Sequence, residues 1–263
     1  MQLSRLLMDR NIAGVDVDST DRISAHRELL LKKRMIREVF FELYDLLAQM
    51  ERQHFGEAPG RRIELGAGSS LLKQAMPDIE QTDIVPNPIL DRVVDAMAMP
   101  YADGSLKTVF GIHCFHHFPD PYRFLAEVAR VCRPGGGTIL IEPYHGPVAS
   151  LLFKHLFSNE GFDKAAPAIG EHGGPMSDAN QALSYIVFNR ERAEFEARFP
   201  QLELVANEPI DNYVRYLASG GVNFRQLLPD AAIPALRLVE KGLRPLRKAL
   251  ALHHVLVIRK RTP

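Results

Sequence analysis

Residues 22–53 contain neither glycine nor proline, and their apolar side chains recur at helical spacing, as in Leu30, Ile36, Phe40, Leu43 and Leu47. That periodicity predicts one or two amphipathic helices. Two glycines and a proline within 54–61 end the pattern. From Arg62 the chain alternates short apolar runs with helical stretches. Strands are expected at 62–65, 80–85, 92–96, 108–114 and 138–142. A helix is expected to begin at 70–74, and an amphipathic one to span 121–132 with Phe124, Leu125, Val128 and Val131 on its inner side. Short apolar strands separated by helices predict an α/β fold, with parallel pairing and helices on both faces of the sheet.

Beyond Pro143 the alternation loosens. Residues 147–157 read as helical. Residues 158–179, rich in Gly, Pro and polar side chains, read as a loop over a site. A helix at 190–199 could be capped by Asn189. Late strands are expected at 202–206 and 255–259, with a helical insertion at 210–250 between them.

Composition narrows the class. Of 263 residues, 46% are hydrophobic and 24% charged, and 32 basic residues balance 32 acidic ones. Zero net charge argues against a nucleic-acid partner. Two cysteines, Cys114 and Cys132, make no disulfide framework and no CxxC pair, which suits a reducing, cytoplasmic setting. The first residues lack the apolar core of a signal peptide, and no run of about 18 apolar residues predicts a membrane span.

The central chemical feature is IELGAGSS, residues 63–70. A strand ending in Gly66-Ala67-Gly68 lets the backbone turn sharply and approach a ligand. A dinucleotide fingerprint would need a third glycine where Leu71 stands, so a pyrophosphate clamp is disfavoured. Glu64 would repel a phosphate but suits a cationic ammonium or sulfonium. Asp83, closing the next strand, can accept hydrogen bonds from both hydroxyls of a ribose. Asp95-Ala96 ends the strand after that and could meet an adenine edge.

These pieces, with DAMAMPYADGS, HHFPDP and FLAEVARVCRPGGGTILIEP at their spacing, resemble the core of class I S-adenosylmethionine-dependent methyltransferases of the small-molecule type over residues 61–143. The resemblance implies a Rossmann-like, seven-stranded, mostly parallel sheet with an N-terminal helical extension (1–56), a catalytic domain (57–263), and lid or helical insertions at 144–188 and 210–250. It implies S-adenosylmethionine as cofactor. Gly66 and Gly68, with Ala67 between them, would line its methionine part. Asp83 and Ile84 would serve the ribose, Asp95 and Ala96 the adenine, His113 would lie beneath the cofactor, and Glu64 would support the loop or the ammonium through water. Lys107-Thr108 departs from the acid common in the family, at a strand start rather than in the cofactor pocket. RPGGG at 133–137 takes a structural turn role.

Methyl transfer from a sulfonium is a direct displacement that rests on alignment and exclusion of water. A general base is needed only for an acceptor protonated at working pH. Candidates beyond the strand ends are His116, His117, Glu142, Tyr144 and His145, with His117 and His145 carried forward as catalytic. Tyr144, His172 and Asn180 are candidate substrate contacts. No metal site is expected, because adjacent histidines on a strand point to opposite sides. Residues 175–190 resemble a segment of methyltransferase-like proteins near bacterial surface-glycan genes, which suggests a glycan-linked acceptor.

Between Arg225 and Pro263 nine basic residues face two acidic ones, interleaved with leucines. Such a region reads either as a basic amphipathic helix on an anionic membrane, with a lipid-linked acceptor, or as a solvated helix covering the site or making a homodimer contact. The expected function is methyl transfer to oxygen of a small-molecule acceptor. The alternatives are carbon methylation of a quinone-like ring and a catalytically silent binding protein.

Overall fold

A computed structural model describes residues 7–16, 19–157, 160–170 and 179–263. The seven strands are β1 (Arg61–Leu65), β2 (Glu80–Asp83), β3 (Arg92–Val93), β4 (Leu106–Ile112), β5 (Cys132–Pro143), β6 (Leu202–Pro209) and β7 (His253–Lys260). They form one sheet in the order β3-β2-β1-β4-β5-β7-β6. The first five pair in parallel, and β7 runs antiparallel to both β5 and β6. The expected Rossmann-like α/β sheet is therefore present, and the single antiparallel strand makes it mostly rather than wholly parallel.

The N-terminal helical stretch is two helices, α1 (Thr20–Lys32) and α2 (Arg34–Phe55), broken where Lys33 takes an extended conformation. Ser19 caps α1 by accepting the Arg22 amide. On α2, Ile36, Val39, Leu43 and Leu47 are fully buried and pack in one cluster with Phe110, Ile139, Ile141 and Val257 of the sheet. Burying such a side chain stabilises the fold by about 1.5–3 kcal/mol. The other face is covered by α4 (Pro121–Val131), the helix read from the sequence. Asp120 caps it by accepting the Tyr122 and Arg123 amides, Pro121 suits its first turn, and Phe124, Leu125 and Val128 pack on Val109, Leu140 and Leu256.

RPGGG does not precede β5 but forms its first part. The glycines allow neighbouring backbones to touch: a Cβ at Gly137 would lie 2.0 Å from the Ile258 carbonyl oxygen, and one at Gly136 2.3 Å from that of Lys107. Two strands are shorter than their apolar patterns, β2 ending at Asp83 and β3 at Val93, because Asp83 and Asp95 turn the chain by accepting amides two residues on. The short α3 (Leu72–Ala75) follows the glycine turn.

The second half carries α5 (Pro147–His155), α6 (Leu183–Tyr185) running into a π-turn at Ile186–Arg190, α7 (Arg192–Arg198), α8 (Tyr213–Ser219), α9 (Ile233–Leu243) and α10 (Arg247–Leu250). Asn189 does not cap α7. It lies inside the π-turn, where its side-chain oxygen accepts from Asn207. In the basic C-terminal region, Arg237 pairs with Glu38 and Glu42, Arg244 with Asp211, and Arg259 with Glu203. Much of the charge excess counted along the chain is thus met by acids from distant segments. No helix among the described residues is long and apolar enough to cross a membrane.

Candidate cofactor and acceptor site

β1 ends at Leu65 and the chain turns through Gly66 and Gly68, both with positive φ. At Gly66 the glycine is also required sterically, since a Cβ there would lie 2.5 Å from that of Cys114. The turn is tied to β2 twice, by the Ala67 amide donating to the Thr82 carbonyl at 2.9 Å and by the Gly68 amide donating to the Asp83 carboxylate at 2.9 Å. Tyr44 of α2 accepts the Leu71 amide at 3.0 Å, and the Arg27 guanidinium of α1 donates to the Ser70 carbonyl. Leu71, where a dinucleotide binder would place its third glycine, is buried in the core under α2.

A cavity of about 580 Å³ opens over this turn. Glu64, Gly66, Ala67, Gly68, Asp83, Ile84, Asp95, Ala96 and His113 all line it, so the structure brings together the whole set of cofactor candidates. Burial pushes the Glu64 carboxyl up to about 7, although Ser70, Gln81, which donates to it at 2.9 Å, and the Arg27 charge oppose the rise. A cationic ligand beside such a buried carboxyl would favour its charged form. Burial raises the Asp83 carboxyl too, while the amides of Val85 and Gly68 oppose that rise. His113 is the one non-glycine residue with positive φ among the described residues, at 52°. Its ring packs on His253 with centroids 4.5 Å apart, its buried Nε2 has no hydrogen-bond partner, and burial lowers its pKa to about 4. A non-glycine residue held in this backbone conformation at a strand end is common in functional sites.

Beyond β4 the chain does not stay extended. Residues 115–117 form a 3₁₀ turn, so His116 and His117 lie on one side with ring centroids 4.2 Å apart. The expectation that the two adjacent histidines diverge is corrected by this turn. Among the described residues, His116, His117 and Glu160 are grouped closely enough to hold a metal ion. Glu142, at the end of β5, is not free to act as a base. It accepts the amides of Cys114 at 3.0 Å and Phe115 at 2.9 Å and the His116 ring Nδ1–H at 2.6 Å. Burial works against its charge, but His116 and these amides hold it below the usual carboxylate range. Burial alone would lower the His116 pKa, but Glu142 and Glu160 together push it up to about 10. His117 faces the cavity with a buried, unpartnered Nδ1, and burial lowers its pKa to about 4.

Three sequence candidates fall elsewhere. Tyr144 and His145 do not line the cavity, because β5 ends at Pro143 and the chain turns away: the His145 ring packs between Tyr144 and Tyr185, its carbonyl accepts from Lys164, and burial lowers its pKa to about 4. Asn180 braces a loop, accepting the Asp163 amide and donating to the Asp163 carbonyl. His172 lies outside the described residues. The site also has members that pattern reading missed: Arg22, His26, Phe153, Phe157, Glu160, Asn223 and Phe224. No motif marks them, since they come from α1, from α5 and the residues after it, and from the stretch after α8. Arg22 and His26 meet at the Asn223 side-chain oxygen, at 2.9 and 3.1 Å, so α1 closes over the cavity.

A glycine turn without a third glycine, a buried carboxyl at Glu64, and acids at the end of β2 and after β3 thus line one cavity. Residues 64–140 match the methyltransferase domain family. Curated relatives include a 27-O-demethylrifamycin SV methyltransferase from Amycolatopsis mediterranei, 43% identical over 20% of this chain and 22% of its own length. An ajmaline N-methyltransferase from Rauvolfia serpentina is 40% identical over 20% of this chain and 18% of its own length. The chain thus spans about a fifth of the length of these relatives. Among solved structures, a Haemonchus contortus phosphoethanolamine N-methyltransferase 2 with S-adenosylmethionine aligns at 13% identity and TM-score 0.49, covering 93% of this chain and 58% of its own.

Proposed function

We propose that this protein transfers the methyl group of S-adenosylmethionine to an oxygen of a small, largely apolar acceptor, free or carried on a glycan or lipid. The observation that carries this reading is one cavity lined by Gly66, Asp83 and Asp95 together with His117, Glu160, Phe153, Phe157 and Phe224. Its volume falls within the roughly 300–1,000 Å³ usual for small-ligand sites. Bound S-adenosylmethionine supplies an electrophilic methyl carbon. The glycine turn and Asp83 would hold the cofactor, the phenylalanines would receive an apolar acceptor, and α1, which closes over the cavity, would exclude water. His117 lines this cavity and carries a buried ring nitrogen without a hydrogen-bond partner. The relatives named for small-molecule methylation on oxygen and on nitrogen support an acceptor of this size. The retained Gly66, Gly68, Asp83 and Asp95 speak against a silent binding protein.

Calorimetric titration with S-adenosylmethionine and with NAD tests the cofactor, and failure of the former to bind at millimolar concentration would sink the reading. Incubation of small-molecule extracts with methyl-labelled cofactor, followed by mass spectrometry, tests the acceptor. Label on oxygen supports the proposal, and label on a ring carbon would overturn it in favour of carbon methylation.

A further inference from the structure

We propose that His116, His117 and Glu160 form a site for a divalent first-row transition ion of the zinc type, with Glu142 orienting His116 from behind. One ligand atom from each of the three residues lies within 4.8 Å of the other two. Two imidazoles and one carboxylate are a donor set that suits zinc or iron(II) and leaves coordination positions open. All three residues line the same cavity as Asp83 and Gly68, so the open positions face it.

Two further observations point to a ligand. Glu142 takes the His116 Nδ1–H at 2.6 Å, which aims Nε2 at Glu160, 3.3 Å away. A carboxylate behind a histidine is the usual partner of metal-binding imidazoles, because it fixes the tautomer and strengthens the donor nitrogen. Glu142 is itself pinned by the amides of residues 114–116, so it supports the cluster and does not join it. The second is that His117, a member of the cluster, carries a buried ring nitrogen without a hydrogen-bond partner. Leaving such an atom unsatisfied is costly in a folded interior.

The use of the ion rests on the methyl-transfer reading above. Held there, it would bind the acceptor hydroxyl and make it more acidic. The hydroxyl proton passes to solvent, the oxygen lone pair forms the bond to the methyl carbon, and the carbon–sulfur bond breaks with its electron pair staying on sulfur. No further oxidant or reductant enters.

The test titrates chelator-treated protein with Zn²⁺ by calorimetry and with Co²⁺ by visible absorption. One ion per chain is expected, with the absorption of a low-coordinate Co²⁺ centre. Glu160→Gln and His117→Gln should each weaken binding at least tenfold, while circular dichroism matches the parent protein. No saturable binding, or binding by either variant as tight as that of the parent protein, would overturn the site and leave Glu142, His116 and Glu160 as a structural ion-pair network. A parallel S-adenosylmethionine titration separates the two claims. Cofactor binding without metal binding rejects the metal site alone, and metal binding without cofactor binding rejects the methyl-transfer reading alone.

Discussion

The Asp83 carboxylate accepts the Gly68 amide at 2.9 Å through one oxygen and the Val85 amide at 2.9 Å through the other. One side chain therefore joins the glycine turn after β1 to the loop after β2, and it does so on the wall of the cavity. Asp83→Ala should weaken S-adenosylmethionine binding by about 1–3 kcal/mol, the usual range for lost charge-assisted hydrogen bonds. Asp83→Asn, which keeps one oxygen for the turn, should lose less. Calorimetric affinities of the two variants check this, and an unchanged value for the alanine variant would remove Asp83 from the site.

Glu64 makes the site sensitive to pH. Its carboxyl is raised from 4.5 to about 7 in the fold, so the folded state binds that proton more tightly than the unfolded state. The stability this provides is complete below about 4.5 and is lost as pH rises to about 7, a change of about 3 kcal/mol. Glu64→Gln should therefore leave stability unchanged near pH 5 and raise it at pH 8, as followed by thermal unfolding. A cationic ligand favours the ionised carboxylate, so cofactor affinity should rise from pH 6 to pH 8 in the parent and stay flat in the variant.

His113 and His145 should respond differently to truncation. His113→Ala is expected to reduce cofactor affinity, because the ring lines the cavity. His145→Ala should leave that affinity within about twofold, because the ring packs on Tyr144 and Tyr185 outside it. Equal effects on cofactor binding would show that the cavity boundary is drawn in the wrong place.

Gly137→Ala tests the close approach of β5 and β7. The added carbon would overlap the Ile258 carbonyl oxygen, and overpacking of this kind typically costs about 1–3 kcal/mol. A lower thermal midpoint is expected, with cofactor binding retained at low temperature.

The C-terminal region should not sediment with anionic vesicles at physiological salt. Arg237, Arg244 and Arg259 are engaged by acids of the same molecule, which leaves less field to attract a membrane. Strong, salt-sensitive co-sedimentation would mean that these pairs open and that Leu238 and Leu246, exposed on the same region, enter the lipid.

Residues 61–143 were legible from the chain alone because each cofactor candidate there is local. Gly66, Gly68 and Asp83 sit where strands end and Asp95 just after one, and strand ends follow from short-range patterning, so the fold class and these candidates needed no long-range information. The missing glycine at Leu71 carried as much weight as the glycines present. Tertiary structure decided what depends on distant segments meeting. It turned His116 and His117 to one side by a 3₁₀ turn and brought Glu160 beside them, 43 residues after His117. It carried Tyr144 and His145 away from the cavity and closed that cavity with Arg22 and Asn223, which no motif connects. It also matched the C-terminal arginines with acids up to 199 positions away. Local propensity is written in neighbouring residues, whereas the acceptor half of the site is built from segments that meet only once α1, α5 and the stretch after α8 have packed on the finished sheet.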